Sequence, residues 1–331
     1  MALLQLISCH CGHIHQNKRL LTGHKIFYEY SEIIMTYSDW AKSQYTDLRE
    51  LGRNGKLSLH SACVRSSGDT VSFWLIEISG LPDSVLNSIV MEVQHIKNYQ
   101  HPALVTITNV YADVDDSYVY IETEPINCTL RDYTQQYISD KGKVPEQNVW
   151  SAAGFLLDGL SYLHLLENPT PFLSTSSSSL MDATNSSKSV NITGVHASIT
   201  SSIVLVTREG LIKLGIFGLS ATLGELYSLG YYDVPHCFRA PEVTKYKHSL
   251  KSDVWALGAT LVDMCIGTLS SHDDFPVNPG TLEHPDLSDY LVHYTRNLVK
   301  FLGECLQFDV AKRHLTTGLK DELTALRPSN M

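Results

Sequence analysis

Lys251–Gly267 reads KSDVWALGATLVDMCIG, and its pattern decides what kind of domain this is. Val254, Leu257, Gly258, Leu261, Met264 and Cys265 recur at spacings of three and four, which lines one face of a helix. Asp253 stands near the start, where a carboxylate suits the positive end of the helix dipole. The run is apolar around most of its circumference, so the helix is expected inside a sizeable domain. Upstream stands Arg239-Ala240-Pro241-Glu242, a short polar segment broken by proline.

Working outward, the whole chain of 331 residues has room for one large domain or two lobes. Its hydrophobic content of 43% and charged content of 18% are ordinary for a chain that buries a core. A net charge of −10 without an evident basic face argues against nucleic acid as a partner. Seven cysteines without regular spacing do not read as a disulfide framework, so a reducing, cytoplasmic location is expected. No apolar run approaches the ~20 residues of a membrane span. The cluster Cys9, His10, Cys11, His13 and His15 lacks the gaps of a zinc site.

Residues 1–44 read as an extension of flexible or docking character. Tyr45–Ile78 holds two β-rich runs joined by the turn cluster Ser66-Ser67-Gly68-Asp69. Leu81–Tyr99 carries the helical stripe Val85, Ile89, Val93, Ile96, and Ala103–Ala112 with Tyr118–Thr123 reads as a β-pair. Leu130–Tyr137, Pro145–Leu165, Asp289–Gln307 and Thr317–Leu326 read as helices, and Ile203–Val206 with Leu211–Leu214 as a small hairpin. Residues 168–193 are rich in Ser, Thr and Asn and too poor in apolar groups to offset ordering entropy, which predicts a disordered insert.

In this order, Glu92 before His101-Pro102, Arg239-Ala240-Pro241-Glu242, Asp253 with Trp255 and Gly258, and Arg313 resemble the landmarks of the protein kinase family. Lys143–His164 is weakly similar to the matching helix of NIMA-related kinases. The resemblance implies an α+β, two-lobed fold over residues 45–331. A β-rich small lobe would take 45–123 and a helical large lobe 124–331. It implies structural roles for Glu92, Ile96, His196, Phe217, Glu242, Asp253 and Arg313, with Glu242 and Arg313 forming a buried ion pair.

The reacting positions depart from the family pattern. Leu51–His60 aligns with the glycine-rich loop, with Gly52 in place but Asn54 and Leu57 at the second and third glycines. Trp74-Leu75-Ile76-Glu77 aligns with Val-Ala-Ile-Lys, so Leu75 would crowd the adenine site and Glu77 would replace the phosphate-gripping lysine. A Glu77–Glu92 pair at about 4 Å would repel by roughly 4 kcal/mol, so helix C swings out, one Glu is protonated or another cation intervenes. In the catalytic loop Ala197 stands for Arg, Ser198 for the base Asp, Thr200 for Lys and Ile203 for the metal-binding Asn. Ile216 takes the place of the metal-binding Asp, and a hard cation wants oxygen ligands.

The expectation from these replacements is a pseudokinase. It would be no enzyme, bind no Mg-ATP, and act as a scaffold or allosteric regulator on other proteins, an active kinase among them. The alternatives are a residual or atypical Ser/Thr kinase that recruits Lys56, Lys213, Asp182, Glu225 or Asp233, and a nucleotide sensor that works without metal.

Overall fold

The computed structural model describes residues 3–5, 45–113, 118–166, 194–215, 234–243, 248–267, 269 and 283–328. The chain divides into two compact units, Met1–Tyr99 with Thr106–Ile126 and Gln100–Val105 with Asn127–Met331.

The first unit is a six-stranded antiparallel sheet in the order β1-β5-β6-β4-β3-β2. Its strands are β1 (Leu3–Gln5), β2 (Tyr45–Asn54), β3 (Leu57–Val64), β4 (Thr70–Glu77), β5 (Ile107–Asp113) and β6 (Tyr118–Thr123). Gly68, at φ +76, closes the β3–β4 hairpin, with the Val64 amide donating to the Asp69 carbonyl at 2.7 Å. Helix α1 (Asp83–Ile96) buries Val85, Leu86, Ile89, Val93 and Ile96, the stripe that its periodicity shows. The sequence pattern leads to five strands here. The sixth, β1, comes from the extension and pairs with β5, satisfying amides that an edge strand otherwise leaves open.

The second unit is mostly helical, around a three-stranded sheet of β7 (Ile126–Thr129), β8 (Val204–Thr207) and β9 (Ile212–Leu214). Its helices are α2 (Leu130–Lys141), α3 (Glu146–Leu165), α4 (Leu250–Ile266), α5 (Arg296–Cys305) and α6 (Thr316–Leu326). Helix α4 is the organising helix, and every residue from Ser252 to Cys265 is buried. Ser249 and Ser252 cap its start reciprocally, and Gly267 ends it in the left-handed conformation at φ +73. A Cβ on Gly258 would lie 2.6 Å from the Cβ of Cys305, so α4 and α5 approach as closely as only glycine permits.

The helix expected over Asp289–Gln307 is shorter, because Thr295 caps α5. The Thr295 hydroxyl accepts from the Leu298 amide, and the same residue donates from its amide to Glu146 at 2.8 Å. The insert at 168–193 and most of residues 1–44 lie outside the described residues. No helix among the described residues is long and apolar enough to cross a membrane.

Candidate functional site

The loop between α3 and β8 is held from below by one carboxylate. Asp253 of α4 accepts the amides of His196 at 2.7 Å and Ala197 at 2.8 Å, and meets Nε2 of His164 at 3.1 Å. Asp253 is 1% exposed, so these bonds are made away from water. Ala197 sits at φ +64, a left-handed conformation that costs an L-residue about 1–2 kcal/mol. Bonds to a charged acceptor are worth about 1.5–3 kcal/mol each, so the two amide bonds outweigh that strain. The loop therefore keeps its shape although it carries no carboxylate at its tip.

Along this loop the side chains turn inward. His196 is fully buried, with Nε2 on the Gly215 carbonyl and Nδ1 on the Ser198 hydroxyl, each at 3.1 Å. Burial holds the His196 imidazole below the usual histidine range. Thr200 and Ser198 are buried, and among the described residues the Thr200 hydroxyl has no hydrogen-bond partner. Ile203 is wholly buried and offers no oxygen, so the residue at that position does not fit a metal ion. Ile216 and Phe217, along with Asp182, Glu225 and Asp233, lie outside the described residues.

In the first unit the register of the strands corrects the assignment of faces. Leu57 pairs with Ile76 and Leu59 with Trp74, so these four share one face, each at most 2% exposed. Leu75 and Glu77 lie on the opposite face, where Leu75 packs with Ala62, Phe73 and Tyr111. Leu59 follows the glycine-loop region at the position of the family's valine. A loop and a strand that grip one ligand must use one face of their sheet, so Trp74 and Ile76 are the counterparts that matter, not Leu75 and Glu77. Counting along the hairpin from Leu59 would have found this; the short match to Glu77 hid it. Gly52 pairs with Leu59 beside an irregularity in register, and Asn54 pairs with Leu57 across the tip.

The charge conflict expected at Glu77 is settled locally. Glu77 accepts from the Ser79 hydroxyl and from Lys56, whose Nζ is 3.1 Å away. These contacts, Ser79 first, hold its carboxyl below the usual range. Lys56 and Glu77 face each other across the hairpin, so of the three escapes the intervening cation is the one found. Glu92 lies in α1, and its side chain is outside the described residues. Lys213 sits in β9 and is mostly buried.

A second charged tie lies under α4. Both guanidinium NH groups of Arg313 reach Glu242, at 2.6 and 3.1 Å, and its Nε reaches the Gln307 carbonyl at 2.9 Å. The guanidinium also lies over the Trp255 ring, 5.2 Å from its centroid.

Comparison with known proteins gives these positions a context. A family profile described as protein tyrosine and serine/threonine kinase matches residues 182–323. Cell division control protein 7 of Schizosaccharomyces pombe is 26% identical over 81% of this chain and 22% of its own length. Serine/threonine-protein kinase STE20 of Candida glabrata is 26% identical over 85% of this chain and 28% of its own length. Cytokinesis protein sepH of Emericella nidulans is 27% identical over 66% of this chain and 14% of its own length. The chain thus spans less than a third of each of these relatives.

These similarities overturn two expectations, that the chain is no enzyme and that it takes no Mg-ATP. The named kinase relatives point to an enzyme, and protein kinases as a class draw phosphate from Mg-ATP. There is a physical reason why the residue replacements misled. Phosphoryl transfer passes through a loose transition state in which positioning does most of the work, so a lost base slows the reaction without forbidding it. Magnesium is held largely by phosphate oxygens and water, so an isoleucine at one ligand position does not keep it from arriving on the nucleotide.

Proposed function

Because this chain carries a domain of the protein kinase family, we propose that it is an atypical serine/threonine protein kinase that transfers phosphate from ATP to hydroxyl groups of other proteins. The observation that carries this reading is the Asp253 clamp, which holds the His196–Ala197 backbone in a strained conformation for which simple packing has no need. Turnover is slow, since Ser198 is a weaker proton acceptor than a carboxylate. The Ser/Thr side of the assignment rests on the name of the STE20 relative. Protein substrates and a cytoplasmic place of action are part of the same proposal.

The test is transfer of radiolabel from Mg-ATP to a Ser/Thr peptide library by the full chain, against a Ser198→Asp variant. Slow labelling by the parent and faster labelling by the variant are expected. No labelling by either above a protein-free blank overturns the reading.

A further inference from the structure

We propose that Ser198 and His196 form a proton relay in which Ser198 meets the substrate hydroxyl and His196 is the final acceptor. This deepens the kinase reading and rests on it. The argument starts from the tautomer. The Gly215 carbonyl can only accept, so the Nε2 of His196, 3.1 Å away, must carry a hydrogen. With burial keeping the ring neutral, Nδ1 then has a free lone pair. The Ser198 hydroxyl stands 3.1 Å from that lone pair, closer than its 3.5 Å approach to the His196 carbonyl. A hydroxyl, an imidazole acceptor and a third group that fixes the ring make up the arrangement by which hydroxyls are activated elsewhere.

Ser198 stands at the aligned place of the family's carboxylate base, so the activated hydroxyl lies where that base would act. The charged and titratable groups that face His196 are few. Asp253 from α4 lies against its backbone amide and favours a proton on the ring; His164 from α3 opposes one. The step balances as follows. The substrate oxygen forms a bond to the γ-phosphorus of ATP as the bond to the bridging oxygen of ADP breaks. The substrate's proton passes to Ser198 Oγ while the proton of Ser198 passes to His196 Nδ1. The imidazolium then returns its proton through Ser198 to water, restoring the starting tautomer.

The relay makes a claim that a plain structural serine does not. Activity should depend on one group with a depressed histidine titration, and the dependence should vanish with the hydroxyl. Two measurements on the full chain test it. In the first, kcat and KM for Mg-ATP are measured from pH 5 to 8 for the parent, Ser198→Ala and Ser198→Asp. Expected for Ser198→Ala is a kcat lowered by about 10- to 100-fold, an unchanged KM and no acid limb. Ser198→Asp should regain or exceed the parent rate with its acid limb at lower pH. In the second, imidazole nitrogen NMR reads the His196 ring: Nε2 protonated, Nδ1 an acceptor whose resonance moves in Ser198→Ala. A parent rate kept in Ser198→Ala overturns the relay and leaves the kinase reading standing. A parent without transfer overturns both. A His196 ring protonated on Nδ1 overturns the relay whatever the activity.

Discussion

Two ends of one loop behave in opposite ways. At His196 and Ala197 a buried carboxylate fixes the backbone and holds a residue at φ +64. Three to seven positions on, at Thr200 and Ile203, the side chains are uncharged and buried, and Ile203 offers nothing to a phosphate or a cation. The difference teaches that the support of a site and its reactive groups are separate features. The support resides in α4 and its capped start, in contacts made by Asp253 and Arg313. The reactivity resides in single side chains that the support does not constrain.

If the two are separate, breaking the support should cost stability and leave a different signature from changing the reactive end. The largest effect is expected at the Arg313 tie. Glu242→Ala leaves a guanidinium buried with only carbonyls around it, and should lower unfolding free energy by about 3–5 kcal/mol in urea titration. Next comes the clamp. Asp253→Asn loses a charged acceptor for two amides and should cost about 2–3 kcal/mol. Hydrogen exchange should quicken at His196 and Ala197 first, because these amides lose their partner.

At the reactive end, Ser198→Asp should raise kcat by about 10²-fold by supplying a carboxylate base, with a smaller change in urea midpoint than Asp253→Asn. A change in stability as large as that of the clamp variant, with no gain in rate, would merge the two ends into one structural unit. A milder effect concerns acid. Burial lowers the titration of His60, His196 and His248 in the folded chain below the ordinary 6.5. Below pH 6.5 the unfolded chain then binds more protons than the folded one, so stability is full above that pH and declines as pH falls toward the depressed values. Melting temperatures between pH 7.5 and 5.5 check this. The smallest effect is expected for Ala197→Gly, which removes left-handed strain but frees the unfolded chain. The two nearly cancel, leaving a change within about 1 kcal/mol.

Much of the fold was legible in the residues. The stripe Val85, Ile89, Val93, Ile96 and the all-round apolar α4 stand where their periods put them, because period reports which side chains meet a core. The face of β4 was not legible. Alternation says that Leu75 and Glu77 share a face, but not which neighbour stands opposite, and the β3–β4 register puts Trp74 beside Leu59 instead. The partner of Glu77 was equally hidden, since Lys56 meets it only when the hairpin closes. The replacements at Ser198 and Ile203 were plain to read, yet the conclusion drawn from them, a chain without catalysis, went beyond what residue identity carries. The relatives named as kinases corrected it.

By itself the sequence determined the elements and the family landmarks, because periodicity, caps and local spacing are properties of neighbouring residues along the chain. Only the tertiary structure decided that Trp74 shares a face with Leu59, that Lys56 answers Glu77, and that His196 turns its free nitrogen to Ser198. The physical reason is that register and hydrogen-bond direction are set between segments far apart in sequence, where one residue of slip reverses a face and one carbonyl selects a tautomer.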